Sequence, residues 1–464
     1  MLILVFLIGF FLLSRISLKL SLLERAGFAL PVGLFCITII MILSDWANIP
    51  LSATMLATTT IALLVVAIVL NIGQSKALIA SFIPQKINLT WFNILWLIIL
   101  CVVVWLEAIN FEKCMVYPVY DRDSLAAFDT IGYVCAQEQT FHAMSIFDPQ
   151  YFPHMHEAGS SISYLPMVQL SYAYVYAFGA FSSKAIPGFI YLSFLIGFYG
   201  LCRHRLTHTA SMLVILGIIM TPEMTAFASL SVTNVMQACM ASSGLIYACL
   251  WIKKQQHHLL VMSLLLLATN NWMRAEGVVF VLTAALLIFI VSVKRRQWVT
   301  AFLPLTALLP LLLWLTYSKA CGLTSESAII THPYWDFDKL SIILNGWWTL
   351  VSNGHYYGIT FHAAFFAIIL NVAFIFMRKS DPYAALALIV SMACYYLILY
   401  QVDYKWDSIQ NVLNYSAKRF NFCFVPVAWY CFAESFPIDR LFSWIEKVGG
   451  LGRSITLFKS PKTK

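Results

Sequence analysis

The chain has 464 residues, of which 61% are hydrophobic and only 11% charged, and its mean hydropathy is +0.81. Soluble domains carry about a quarter charged residues, so this composition excludes a soluble globular protein and points to one that crosses a membrane many times. The formal net charge of +8 is no argument for nucleic acid, because the basic residues gather in short segments between apolar runs, as the positive-inside rule predicts.

The first stretch, "MLILVFLIGFFLLSR", lacks a positive n-region and an A-x-A-like cleavage site, and reads as a retained span, not a signal peptide. Apolar runs of span length follow at 27–44, 53–72 and 91–109. After a long polar interval come 165–181, 186–202, 210–228, 231–251, 258–270, 277–293 and 299–317, and after a second interval 359–377, 383–400 and 420–436. Basic clusters at Arg15/Lys19/Arg25, Lys76/Lys86, Arg203/Arg205, Lys253/Lys254, Lys294/Arg295/Arg296, Arg378/Lys379 and in the tail from Arg440 can all lie on the cytoplasmic side if the N-terminus is outside. For that, 165–181 and 186–202 together must make an odd number of crossings, so one of them is re-entrant or interfacial. Of the 29 Lys and Arg, 20 then fall inside and 8 outside, with Lys184 unassigned.

The expected fold is therefore an all-α polytopic membrane protein of about 13 transmembrane helices with a large extracytoplasmic first loop carrying amphipathic juxtamembrane helices. Three parts follow: an N-terminal extension of three spans in 1–90, a membrane module in 91–436, and a basic cytoplasmic tail in 437–464. The external loops are 110–164, 318–358 and 401–419, long enough to expect function in them. Within the first, Leu125, Phe128, Ile131, Cys135 and Phe141 recur at roughly helical spacing, which predicts an amphipathic helix lying on the membrane surface. The 11 cysteines form no C-x-x-C and read as packing residues, although Cys114 and Cys135 share one loop and could pair in an oxidising compartment.

Polar chemistry concentrates in those loops. Asp121 and Asp123 form a D-x-D directly after the fourth span, where a carboxylate can take a proton from a hydroxyl or, with its neighbour, hold a divalent cation; solvated loop charges have the same pattern. His154 and His156 have H-x-H spacing, which on a strand puts both rings on one face for a metal or a sugar phosphate. "HPYWDFDKL" sets His332 and Asp336 beside aromatics, a composition suited to carbohydrate as well as to an interfacial belt. No P-loop, G-x-S-x-G or dinucleotide fingerprint occurs, so cytosolic nucleotide chemistry has no support.

A hydrophobic helix followed by "YPVYDRDSLAAFD" (117–129) and then "YLPMVQLSYAYVYAFGAF" (164–181) resembles the GT-C glycosyltransferases, in particular the protein O-mannosyltransferase and aminoarabinose-transferase branch. The resemblance implies an enzyme that takes a sugar from a polyprenyl-phosphate donor on the extracytoplasmic face, with an aspartate of the first loop as catalytic base. Arg122–Asp123–Ser124 stands where such enzymes often have a W-D-A-like step, without the tryptophan; Asp123 matches best and Asp121 second. "ATNNWMRAEG" (268–277) is similar to their T-[RK]-x-E-G step, which implies Arg274 facing an anionic lipid phosphate with Glu276 neutralising or orienting it. "NYSAKRFNFCFVP" (414–426) is similar to an S-x-R-Y…P entry into the last span and puts Lys418 and Arg419 at headgroup level, where ordinary snorkelling anchors also sit.

The resemblance implies direct displacement with inversion, an acceptor that is a glycan, lipid or protein hydroxyl, no certain cofactor, and a multi-pass place in the cell membrane, a bacterial inner membrane first, with the site periplasmic or extracellular. Two other classes fit parts of the pattern. A polysaccharide polymerase or ligase using lipid pyrophosphates would share the large loops but rely on Arg and His, and a transporter or flippase would carry charges at mid-membrane.

Overall fold

A computed structural model describes residues 1–82, 91–157, 160–327, 329–331, 335–377, 379–405 and 407–448. The chain is nearly all helical, in the order the apolar runs predict. Among the described residues six helices are long and apolar enough to cross a membrane: Leu22–Trp46, Ala185–Cys202, Asn234–Lys254, Ala275–Lys294, Trp298–Ala320 and Tyr383–Gln401. Two bent pairs, Ala53–Val69 with Ile72–Ala80 and His208–Ile219 with Pro222–Ala228, bring the number to eight if each is one span.

The helix Asn234–Lys254 is the axis of the bundle, with its apolar window wholly buried. Its Ala, Ser, Cys and Gly residues let neighbouring backbones approach, the usual condition for tight packing where lipid removes the hydrophobic drive between helices. The N-terminal helices are not peripheral to it. Trp272 donates its indole N–H to Thr38 at 3.0 Å, and Tyr247 donates to Glu24 at 2.6 Å, so Leu22–Trp46 is tied to the core at its start and again past its middle.

Three expectations need correction. The run 210–228 is not one straight helix: it bends by 75° where Thr221 precedes Pro222, because proline excludes the α conformation before it and lacks the N–H to continue the ladder. The amphipathic helix of the first loop exists, as a π-turn Ser124–Asp129 running into Thr130–Glu138, but its apolar face packs on protein. Phe128, Ile131 and Cys135 are buried while Leu125 is exposed, since the wider π-turn rotates the preceding residues out of the stripe. Gly132 lies so close to the helix Met167–Ala177 that a Cβ there would sit 2.6 Å from that of Tyr172. Finally, the chain is nearly but not entirely α: Ile329–Thr331 pairs antiparallel with Val402–Tyr404, joining the second loop to the third.

Of the two segments at 165–181 and 186–202, the first forms only the 11-residue helix Met167–Ala177, about 16 Å long, against a hydrocarbon core of about 30 Å. The second is a continuous helix of 18 residues. All 11 cysteines are free thiols, so Cys114 and Cys135 do not pair; Cys114 packs against Gly188 and Cys135 is enclosed.

Contacts divide the bundle into two polar ends. At one, Glu24 accepts from His204 at 2.8 Å, Lys254 donates to the His204 carbonyl at 2.8 Å, Arg205 pairs with Asp439 at 3.2 Å, and Lys253 pairs with Asp381. These join several of the basic clusters seen in the sequence. The other end holds the acids of the first loop and the candidate residues.

Candidate active site

The three carboxylates of 121–129 have three different jobs. Asp121 accepts from the Ser124 backbone N–H at 3.1 Å and from its hydroxyl at 3.4 Å, capping the π-turn it precedes. Asp129 accepts from the Tyr176 hydroxyl at 2.7 Å and the Ser183 hydroxyl at 2.5 Å, fastening the far end of the turn to the start of Ala185–Cys202. Asp123, between them, accepts from Arg419, 296 residues away in sequence. Asp121 and Asp123 thus serve different partners, the first its own helix and the second a distant arginine.

Lys184 holds the approach to Asp123 in place. It is 2% exposed, and its ammonium donates to the carbonyls of Lys113, Tyr117 and Pro118 at 3.1, 2.8 and 3.3 Å, beside the Tyr120 ring. It therefore satisfies the C-terminal carbonyls of the helix Trp91–Val116, the end where a cation is favoured. Burial holds the Lys184 ammonium below the usual lysine range. A single lysine between two helical runs gives no local sign that its partners are carbonyls some 70 positions earlier.

Arg274 and Glu276 form a two-bonded pair, Nε to Oε2 at 3.1 Å and Nη2 to Oε1 at 2.8 Å, while Nη1 donates to Thr233 at 3.2 Å. The pair occupies the break between His257–Met273 and Val278–Lys294. Gly277 is required there, because a Cβ would stand 2.5 Å from the Asn271 amide oxygen and 2.6 Å from the Asn270 amide nitrogen. Arg419 donates its Nε to the Tyr415 carbonyl at 3.1 Å, leaving the guanidinium tip for Asp123.

Tyr164, stacked on Phe128, lies within electrostatic reach of both pairs. Its phenol is pushed above the ordinary range chiefly by burial, and it feels the charges of Arg274, Glu276, Asp123 and Arg419 in that order. Yet Tyr164 keeps 37% of its surface accessible, and the side chains of Glu276 and Asp123 keep 42% and 43%. These groups are thus partly enclosed by protein and still reached by solvent. The aromatic rings of Tyr395, stacked 3.8 Å from Phe420, and of Tyr404 form part of the same charged neighbourhood.

The other expected residues stand elsewhere. Lys418 turns away from its neighbour Arg419 to pair with Glu223 at 3.1 Å, with its ammonium 4.5 Å from the Tyr356 ring centroid. Glu223, in the first turn of Pro222–Ala228, carries no motif and was legible only as an acid at a helix start. His154 and His156 lie in a 3₁₀ turn, Pro153–His156, so they do not share a strand face. The His156 ring nitrogens lie 2.9 Å from the Phe147 carbonyl and 3.1 Å from that of Thr324, and the Glu326 N–H donates to the His156 carbonyl at 2.8 Å, so this residue clamps the first loop to the second. The His154 ring packs edge-on to Phe152. Asp336 caps the helix Phe337–Val351 by accepting from the backbone of Asp338 and Lys339 at 2.9 and 3.0 Å. His332 lies outside the described residues. Among those described, no group of three or more His, Cys, Asp or Glu is arranged to hold a metal.

The arrangement offers a carboxylate and two guanidinium groups at one end of a membrane-type bundle, with an aromatic wall. Such a set can accept a proton and hold an anion beside it. No protein-family model matches the chain, and neither curated proteins nor solved structures give a significant match.

Proposed function

We propose that the chain is an integral-membrane, GT-C-like glycosyltransferase that moves a sugar from a polyprenyl-phosphate donor to an acceptor hydroxyl with inversion. The observation that carries this reading is the meeting of Asp123 and Arg419 across 296 residues, with the Arg274–Glu276 pair acting on the same tyrosine, Tyr164. Three segments singled out separately by their resemblance to one enzyme class supply these groups, and Tyr164 feels the charges of both pairs. About 13 crossings, with the site on the periplasmic or extracellular face of a cell membrane, complete the proposal.

The chemistry runs as a single displacement. The acceptor oxygen attacks the anomeric carbon as its proton passes to Asp123. The bond from that carbon to the phosphate oxygen breaks, and its electron pair stays on the phosphate. Arg419 and Arg274 stabilise the negative charge that grows there, while the polyprenyl tail remains among the helices. Glu276 holds Arg274 in orientation, and Thr233 fixes the remaining guanidinium nitrogen.

The stereochemistry is the test. Given a donor of known anomeric configuration, the product is expected to carry the opposite configuration, read by nuclear magnetic resonance of the anomeric proton. Retention would contradict displacement by one carboxylate and require a covalent intermediate.

A further inference from the structure

Both guanidinium groups are paired with carboxylates, and the two pairs are not alike. Arg274 and Glu276 are two residues apart on one helix break, joined by two parallel bonds. Arg419 and Asp123 belong to segments distant in sequence, and a single nitrogen-to-oxygen contact joins them. The second pair is the one with room to separate: Asp123 stands at the start of a π-turn whose cap is supplied by Asp121 and whose far end is fastened by Asp129, so its side chain can swing without unfolding its own turn.

We propose that the Asp123–Arg419 pair is a latch that only an anionic donor opens. The inference rests on the transferase reading above and adds to it an order of binding and a requirement for charge. While Arg419 holds Asp123, the carboxylate oxygen that must receive the acceptor proton is engaged by a donor of its own. A phosphate entering the site offers the guanidinium more oxygens than one carboxylate contact does. It takes Arg419, and Asp123 is released towards the acceptor. The base thus becomes available only after the donor phosphate is seated, so the donor binds before the acceptor hydroxyl is activated. An uncharged lipid glycoside leaves the latch closed.

The latch sets an internal competitor against the ligand. A pair closed about nine-tenths of the time weakens the apparent affinity of anything needing a free Arg419 by about tenfold. The test uses the full chain in nanodiscs of zwitterionic lipid, with farnesyl phosphate as probe and farnesol as its uncharged counterpart. Binding is followed by intrinsic tryptophan fluorescence for wild type, Asp123→Asn, Arg419→Gln and the double variant, after each has been shown to keep its melting temperature.

The expected result is that wild type prefers farnesyl phosphate to farnesol, that Asp123→Asn binds farnesyl phosphate about tenfold more tightly, and that this gain disappears in the Arg419→Gln background. Equal or weaker binding by Asp123→Asn, with the wild-type preference for phosphate intact, would overturn the latch and leave the transferase reading standing. A gain that persists without Arg419 would also overturn it, as the loss of a nearby negative charge would then suffice. If no variant separates farnesyl phosphate from farnesol, the phosphate site itself is absent and both proposals fall.

Discussion

Asp123→Asn is expected to lower sugar transfer by about 10²–10⁴-fold, the usual contribution of a positioned general base, without lowering the melting temperature. The structure separates this carboxylate from its two neighbours, which makes the comparison informative. Asp121 caps the π-turn and Asp129 ties that turn to Tyr176 and Ser183. Asp121→Asn and Asp129→Asn are therefore expected to act first on stability, with transfer falling only as far as the loop loosens. Turnover measured beside thermal unfolding for the three variants distinguishes these roles. A wild-type rate in Asp123→Asn would remove it from the chemistry, and the mechanism built on it would fail.

The second large effect belongs to Asp45, which is 2% exposed in the last turn of Leu22–Trp46. An acid at a helix C-terminus opposes the helix dipole, so other interactions must hold it there. It accepts five hydrogen bonds: from Thr140 Oγ1 at 2.9 Å, the backbone of Phe141 at 2.8 Å and of His142 at 3.1 Å, the His142 ring at 2.7 Å, and the Tyr317 hydroxyl at 2.5 Å. One side chain thus joins an N-terminal helix, the first loop just after the helix Thr130–Glu138, and the span Trp298–Ala320. Asp45→Ala strands these donors in a buried place and is expected to cost about 3–5 kcal/mol, as removal of one partner from a buried charged network does. Tyr317→Phe, which removes one bond to a charged group, is expected to cost about 1.5–3 kcal/mol. Both are read by thermal unfolding in detergent, and an unchanged transition in Asp45→Ala would show that the hub does not hold the loop.

What could be read from the sequence was local or periodic. The apolar runs located the helices because span length and hydropathy are properties of single segments. The stripe at Phe128, Ile131 and Cys135 marked a helix, but periodicity cannot say whether lipid or protein covers the apolar face, and here the helix Met167–Ala177 does. Asp123, Arg274, Glu276 and Arg419 stood out by type, by position at the ends of apolar runs and by resemblance. The pairing of Asp123 with Arg419 did not, because a contact across 296 residues leaves no pattern in a single chain. The partners of Lys184, Glu223, Asp45 and His156 were invisible for the same reason, since each is supplied by another segment. Asp336 was over-read in the opposite direction: an acid among aromatics suggested carbohydrate, whereas acids just before a helical run also serve as caps, and the bonds to Asp338 and Lys339 are those of a cap.

The most direct measurement is turnover by the purified wild-type protein in nanodiscs with a panel of polyprenyl-phosphate sugars and matched polyprenyl-pyrophosphate sugars, each with a mixed pool of hydroxyl acceptors. Mass spectrometry follows the lipid released. The account predicts that one monophosphate donor is consumed, with free polyprenyl monophosphate appearing in step with a glycosylated acceptor. Consumption of pyrophosphate donors alone, or movement of intact donor across the bilayer with no lipid phosphate released, would contradict it.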